Sequence, residues 1–137
     1  MTINSKIILN ISSSDGKKLD LECYAIYIDL PPKGIHGILP DHIPLVAKFD
    51  ISIFYIVDLE GNYFYFSTSG GFIDVRKDRT IIFCDTFERK EEIDKDRALK
   101  EKVNAESVLK KVNNDKEVEK KASFSLKKAI NRLKILD

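Results

Sequence analysis

Three cations in the last third of the chain have the types and spacing to bind an anion. Arg97 lies in "EEIDKDRALK", three residues after Asp94, where a helix should start. The start of a helix carries the positive end of the backbone dipole and favours anions, so an arginine in the first turn is out of place. Lys128 and Arg132 stand four apart and share one face of a later helix. If the two helices fold back antiparallel, the start of the first lies near the end of the second. The three cations then converge beside a helix N-terminus, which is a favourable place for phosphate. The plainer alternative is that all three are solvated and paired with Glu88, Glu91 or Glu92, in exposed pairs contributing at most about 1 kcal/mol each.

The neighbours of Arg97 are explained without a ligand. Asp94 is a good N-cap, its carboxylate accepting from backbone N–H groups two or three residues on. Ile93 and Ala98 stand at the positions of a hydrophobic staple around that cap.

Other reactive groups are sparse. His36 and His42 do not form a metal pair at helical spacing, and His42 reads as a loop histidine between two prolines. Ser67 and Ser69 flank Thr68 in "TSGG", with no general base at a readable spacing. The glycines there read as a strand bend that lets another backbone approach closely. No glycine-rich phosphate loop exists. Cys23 and Cys84 each sit within an apolar run and lack metal-site spacing, so they read as buried, reduced thiols in a cytosolic protein.

Two kinds of element must position these residues. Residues 1–87 read as β structure, with β-branched and aromatic runs separated by turn signals. "ISIFYIVDLEGNYFYFS" is a hairpin turning at Glu60-Gly61-Asn62, and "GGFIDVRKDRTIIFCD" is a second. In "NYFYFS" both faces carry aromatic rings, so that strand is covered on both sides or lies against another subunit. "KGIHGILPDHIPL" reads as a rigid apolar loop, which either packs under the sheet or docks on something else. From Glu88 to Asp137 there is no Gly or Pro, and the content is Lys, Glu, Ala and Leu. Ala98, Ala105, Leu109 and Val112 make one apolar stripe, and Ala122, Leu126, Ala129, Leu133 and Leu136 a second. "NNDK" breaks the pattern between them, with Asn114 and Glu117 placed to cap the second helix. Two helices so joined pair antiparallel.

Bulk numbers agree with this division into a β-sandwich or barrel and a helical pair. The chain has 137 residues, 43% hydrophobic and 33% charged, which is a globular composition. Residues 1–87 hold 8 basic and 11 acidic side chains, a balance of −3, and residues 88–137 hold 15 and 11, a balance of +4. The sum of +1 provides no basic field for nucleic acid. No apolar run has the length of a membrane span, and "MTINSKIILN" does not read as a signal peptide, so membrane association is expected to go through a partner.

At four places the chain resembles the epsilon subunit of the F-type ATP synthase. "GILPDHIPL" is similar to the family's G-I-L-P-G-H-x-P-L, and "FSTSGGFIDVRKDRTIIFCDTFER" to its S-G-G-x-x-E-V and T-I-L-A-D-x-A-E-R segment. "EEIDKDRA" and "LKKAINRLKI" are similar to its two helical signatures. The resemblance implies an α+β, mainly β fold: a ten-stranded β-sandwich of two five-stranded sheets over residues 1–87, then an antiparallel two-helix hairpin over 88–137. It implies a non-catalytic rotor subunit on the cytoplasmic face of the cell membrane. The sandwich would bind the gamma subunit, with its loop end on the ring of c subunits. The hairpin would regulate ATP hydrolysis, reaching the alpha and beta subunits when extended.

No cofactor is required by this resemblance, but ATP is implied as a regulatory ligand in some bacterial members. Ile93, Asp94, Arg97 and Ala98 match the Ile-Asp-x-x-Arg-Ala motif, and Glu88 matches a position on the adenine side. Lys128 and Arg132 stand where the family has Arg-x-x-x-Arg, so a point charge replaces one bidentate fork. The ring-facing loop departs in two places. Ile35 occupies a position commonly acidic, followed by His36, and Asp41 replaces a glycine before the retained His42. Alternatives are an epsilon-like subunit of a specialised F-type-like ATPase, a freestanding ATP-sensing module, or a generic β-sandwich interaction protein.

Overall fold

The computed structural model describes residues 6–137. Nine strands among the described residues come first: β1 (Ile7–Ser13), β2 (Lys18–Asp29), β3 (Ile35–Ile38), β4 (Leu45–Phe49), β5 (Ser52–Asp58), β6 (Tyr63–Thr68), β7 (Gly71–Val75), β8 (Thr80–Cys84) and β9 (Phe87–Arg89). Helices α1 (Lys95–Lys111) and α2 (Lys116–Ile135) follow. The chain divides into two compact units after Arg89.

The strands run in the order β4-β7-β8-β1-β2-β5-β6-β9, with β3 also paired to β2. All pairings are antiparallel except β1 with β8. The twelve-residue β2 carries the chain from one layer of the sandwich to the other. Its first half pairs with β1, and its second half with β3 and β5. Between Cys23 and Ala25 the register with β5 shifts. Leu19, Leu21 and Cys23 face the core before the shift, and Ile26 and Ile28 after it, so the inward-facing positions change parity. A bulge has that effect, because one extra residue turns every later side chain to the opposite face. Nine strands therefore stand where ten were expected. Counting β2 in both layers recovers two sheets of five.

The core between the layers consists of large side chains. Leu9, Ile26, Ile28, Ile38, Phe54, Ile73 and Ile82 have no exposed surface, and Phe54 stacks on Phe66 at 4.9 Å. Each such side chain stabilises the fold by about 1.5–3 kcal/mol relative to exposure. Cys23 and Cys84 are free and buried. The bend at Gly70-Gly71 is a close approach: a Cβ on Gly71 would stand 1.9 Å from the Phe83 carbonyl oxygen.

Three expectations are corrected. The apolar loop "KGIHGILPDHIPL" is partly sheet, because Ile35–Ile38 form β3 and Leu45 begins β4. Glycine and proline hid these strands, whose pairing with β2 and β7 is non-local. The sandwich extends two residues past the expected boundary, since Glu88 and Arg89 belong to β9 and pair with Ser67 and Phe66 of β6. The cap of α2 is Asp115, whose carboxylate accepts from Glu117 N and Val118 N at 3.1 and 3.3 Å. Asn114 instead takes the left-handed conformation of the connecting turn, with φ 63°, which asparagine tolerates better than most residues.

The hairpin buries small residues: Ala98, Ala105, Ala122 and Ala129, with Ile135 at its end. Leu109, Leu126 and Leu133 are half-buried. Leu136, the last residue of the expected stripe, is likewise half-buried and is the helix C-cap, with Ile135 buried beside it. Among the described residues, no helix is long and apolar enough to cross a membrane.

Candidate functional site

A cleft of about 570 Å³ lies between α1 and α2, within the range of small-molecule sites. Its floor includes the buried Ala105 and Ala122, whose small side chains leave the space open. Arg97, Lys128 and Arg132 all line it, together with Lys121 and Ser125. The fold thus brings together the three cations singled out by spacing.

Each is held by its own helix. Asp94 caps α1, with its carboxylate accepting from Arg97 N at 3.1 Å. Ala98 behind it is buried and Ile93 before it half-buried, as a cap with a staple requires. Lys128 lies one turn after Phe124, with its Nζ 4.9 Å from that ring's centroid. Arg132 lies one turn further on and is 22% exposed.

Sequence reasoning missed the residue at the centre of this geometry. Glu101 accepts from Arg97 Nε at 3.0 Å through one carboxylate oxygen and from Arg132 Nη1 at 2.9 Å through the other. Its spacing of four from Arg97 was the available signal, although that alone describes an ordinary surface pair. Glu88, expected on the adenine side, lies on β9 in the other unit, and the residues lining the cleft belong to the hairpin.

The residues expected to face the ring lie in the sandwich unit. Ile35 is 75% exposed on β3, and Ile43 equally so beyond the turn. His42 N donates to the Leu39 carbonyl at 3.1 Å, closing a turn over Pro40 and Asp41. Asp41 has φ 66°, the left-handed conformation that the third position of such a turn demands and that glycine adopts freely. His42 Nδ1 is 2.6 Å from the Ile43 carbonyl, which can only accept, so that nitrogen carries the hydrogen. In the neutral ring the His42 Nε2 then accepts from His36 Nε2–H, 3.2 Å away.

On the outer face of β2, β5 and β6, Tyr27 stacks on Tyr55 at 4.9 Å, and Tyr55 meets Tyr65 and Tyr63 at 5.3 and 5.7 Å. Burial, then the three neighbouring tyrosines, pushes the Tyr55 hydroxyl above its ordinary range. Phe66 faces the core, whereas Phe64 on the same face of "NYFYFS" is 38% exposed, so that face is covered at one end only. Tyr63 on its other face is 58% exposed. Among the described residues no group of three or more His, Cys, Asp or Glu is placed to hold a metal ion.

Two family models match in tandem. The beta-sandwich domain of the ATP synthase delta/epsilon chain matches residues 8–90, and the long alpha-helix domain of the same chain matches residues 91–137. Relatives named ATP synthase epsilon chain include one from Exiguobacterium sp., 36% identical over 129 residues, covering 94% of each chain. Another, from Bacillus licheniformis, is 37% identical over 127 residues, covering 93% of this chain and 95% of its own. Among solved structures, a chain of the Euglena gracilis mitochondrial ATP synthase, with OSCP, F1 and c-ring, superposes with a TM-score of 0.82 at 21% identity. That match covers all of this chain and 85% of the other. At that identity the likeness speaks for the fold alone. The matches span both units in order, and the chain belongs to the ATP synthase delta/epsilon family as an epsilon subunit, an accessory rather than a catalytic component.

Proposed function

We propose that this protein is a rotor subunit of an F-type ATPase that binds the gamma subunit through its sandwich and responds to ATP through its hairpin. The single observation that supports the ligand most strongly is the convergence of Arg97, Lys128 and Arg132 on one cleft. Three cations at one site suit the triphosphate of a nucleotide. Lys128 supplies a point charge where a guanidinium would supply a fork, so binding is expected to be weaker than with two arginines on α2. Nothing in the arrangement pairs a nucleophile with a base, so the nucleotide is a regulatory ligand rather than a substrate. The alpha and beta subunits are the partners of an extended hairpin, and the c ring is the partner of the turn at His42. Attachment to the cytoplasmic face of the membrane would run through that assembly.

Isothermal calorimetry of the purified chain with ATP tests the ligand. Saturable heat is expected, and no heat at millimolar ATP would remove it. Capture of the gamma subunit by the tagged protein tests the partner. A second reading places the subunit in a specialised F-type-like ATPase. It is favoured by Ile35, an exposed apolar side chain where the resembling family commonly has an acidic one. Recovery of gamma without any c-type ring protein would support that variant, and recovery of both would favour the ordinary rotor.

A further inference from the structure

We propose that Glu101 is an internal counter-anion of the hairpin cleft, holding the two arginines when no nucleotide is present and competing with phosphate when one arrives. The competition rests on reading the cleft as an ATP site, but the clamp does not.

Of the side chains lining the cleft, Arg97, Lys121, Lys128 and Arg132 are cationic and Glu101 is the one acidic group. Its two oxygens are divided between the helices. One accepts from Arg97, a turn earlier on α1, and the other from Arg132, 31 residues away on α2. A carboxylate bridging two guanidiniums makes the same charge-assisted contacts that two phosphate oxygens would make. Glu101 and Arg132 are only 35% and 22% exposed, so this arm is less screened by solvent than the arm to Arg97, whose side chain is 78% exposed.

Two consequences follow from one geometry. A nucleotide that takes Arg97 Nε and Arg132 Nη1 displaces Glu101 from them, and the displaced carboxylate stays beside the phosphates as a like charge. The ligand-free hairpin, meanwhile, is tied across its seam by the same side chain. Removing the charge therefore has opposite effects on the two states: tighter binding of ATP and a looser hairpin without it.

The experiment uses the full chain as wild type, Glu101→Gln and Glu106→Gln. Glu106 is exposed on α1 and does not line the cleft, so its variant makes the same change in net charge away from the site. Calorimetry with ATP should show Glu101→Gln binding about tenfold tighter, the size of change expected when a competing charged partner is lost, and Glu106→Gln near wild type. Equal tightening in both variants would reduce the effect to long-range charge and overturn the competition. Unchanged or weaker binding in Glu101→Gln would overturn it as well. If all three chains were silent at millimolar ATP, the ATP reading and the competition built on it would both fall. Hydrogen exchange without ligand then decides what remains: faster exchange along α1 and α2 in Glu101→Gln than in Glu106→Gln supports the clamp, and equal rates overturn it.

Discussion

The sandwich encloses Leu9, Ile26, Ile28, Phe54, Ile73 and Ile82 with no exposed surface, whereas the hairpin seam encloses Ala98, Ala105, Ala122 and Ala129. Per residue the first set removes about twice as much apolar surface from water as the second, at about 25 cal/mol per Å². The sandwich is consequently the stable unit. The hairpin is a low-stability element, the kind from which ligand-responsive parts are drawn. Alanine has a second effect: its small side chains let the helices approach and leave the cleft open beside Arg97, Lys128 and Arg132. The residues that make the hairpin weak also leave its cleft open.

The largest effect should come from breaking the strong side of this contrast. Phe54→Ala removes a ring stacked on Phe66 and should destabilise the chain by about 3–5 kcal/mol, measured by urea unfolding followed through sheet circular dichroism. A smaller loss would mean that the core collapses around the gap.

The buried thiols sharpen the contrast next. Burial pushes the Cys23 thiol up from 9.0 to about 12 and the Cys84 thiol up to about 11, although Thr68 bonds partly offset the latter. Both should be alkylated by iodoacetamide at pH 8 at least about a hundredfold more slowly in the folded chain than in urea, since the thiolate is the nucleophile. The sign for stability follows from the same shift. A raised pKa favours the neutral folded form, so this contribution is complete below the unfolded thiol's 9.0 and is lost as pH rises towards 11 and 12. Alkaline unfolding in that window is the check, and fast labelling of the folded protein would contradict the packing.

Ala105→Leu tests the weak side. A larger side chain at the cleft floor should strain the seam by about 1–3 kcal/mol and fill part of the cleft. Hydrogen exchange should accelerate in α1 and α2 and stay unchanged in β1–β9. Equal acceleration everywhere would show that the two units unfold as one. The smallest effect is local to the loop. Asp41→Gly relieves a left-handed aspartate and should stabilise the sandwich by about 0.5–1 kcal/mol, seen as a modest rise in Tm.

What the sequence revealed of these two units divides along sequence distance. The Glu60-Gly61-Asn62 hairpin was legible because its turn is local: Asp58 accepts from Glu60 N and Asn62 N at 2.9 and 2.8 Å. The Asp94 cap and the alanine stripes were legible for the same reason. The parallel pairing of β1 with β8 was not, because no local pattern specifies a partner about seventy residues away. Nor was the role of β2, since its bulge acts through pairing with two layers at once. The cleft's cations were found by spacing. Glu101 was missed because its second partner, Arg132, lies on another helix.

On the proposed reading, the hairpin responds to nucleotide and the sandwich does not. Hydrogen exchange of the full chain with and without millimolar ATP, in wild type and in Arg97→Gln, measures it directly. Slower exchange in α1 and α2 is expected on adding ATP, with no change in the strands and no response in the variant, whose helix cap at Asp94 is intact. Absence of protection in the wild type, or protection that survives in Arg97→Gln, would contradict it.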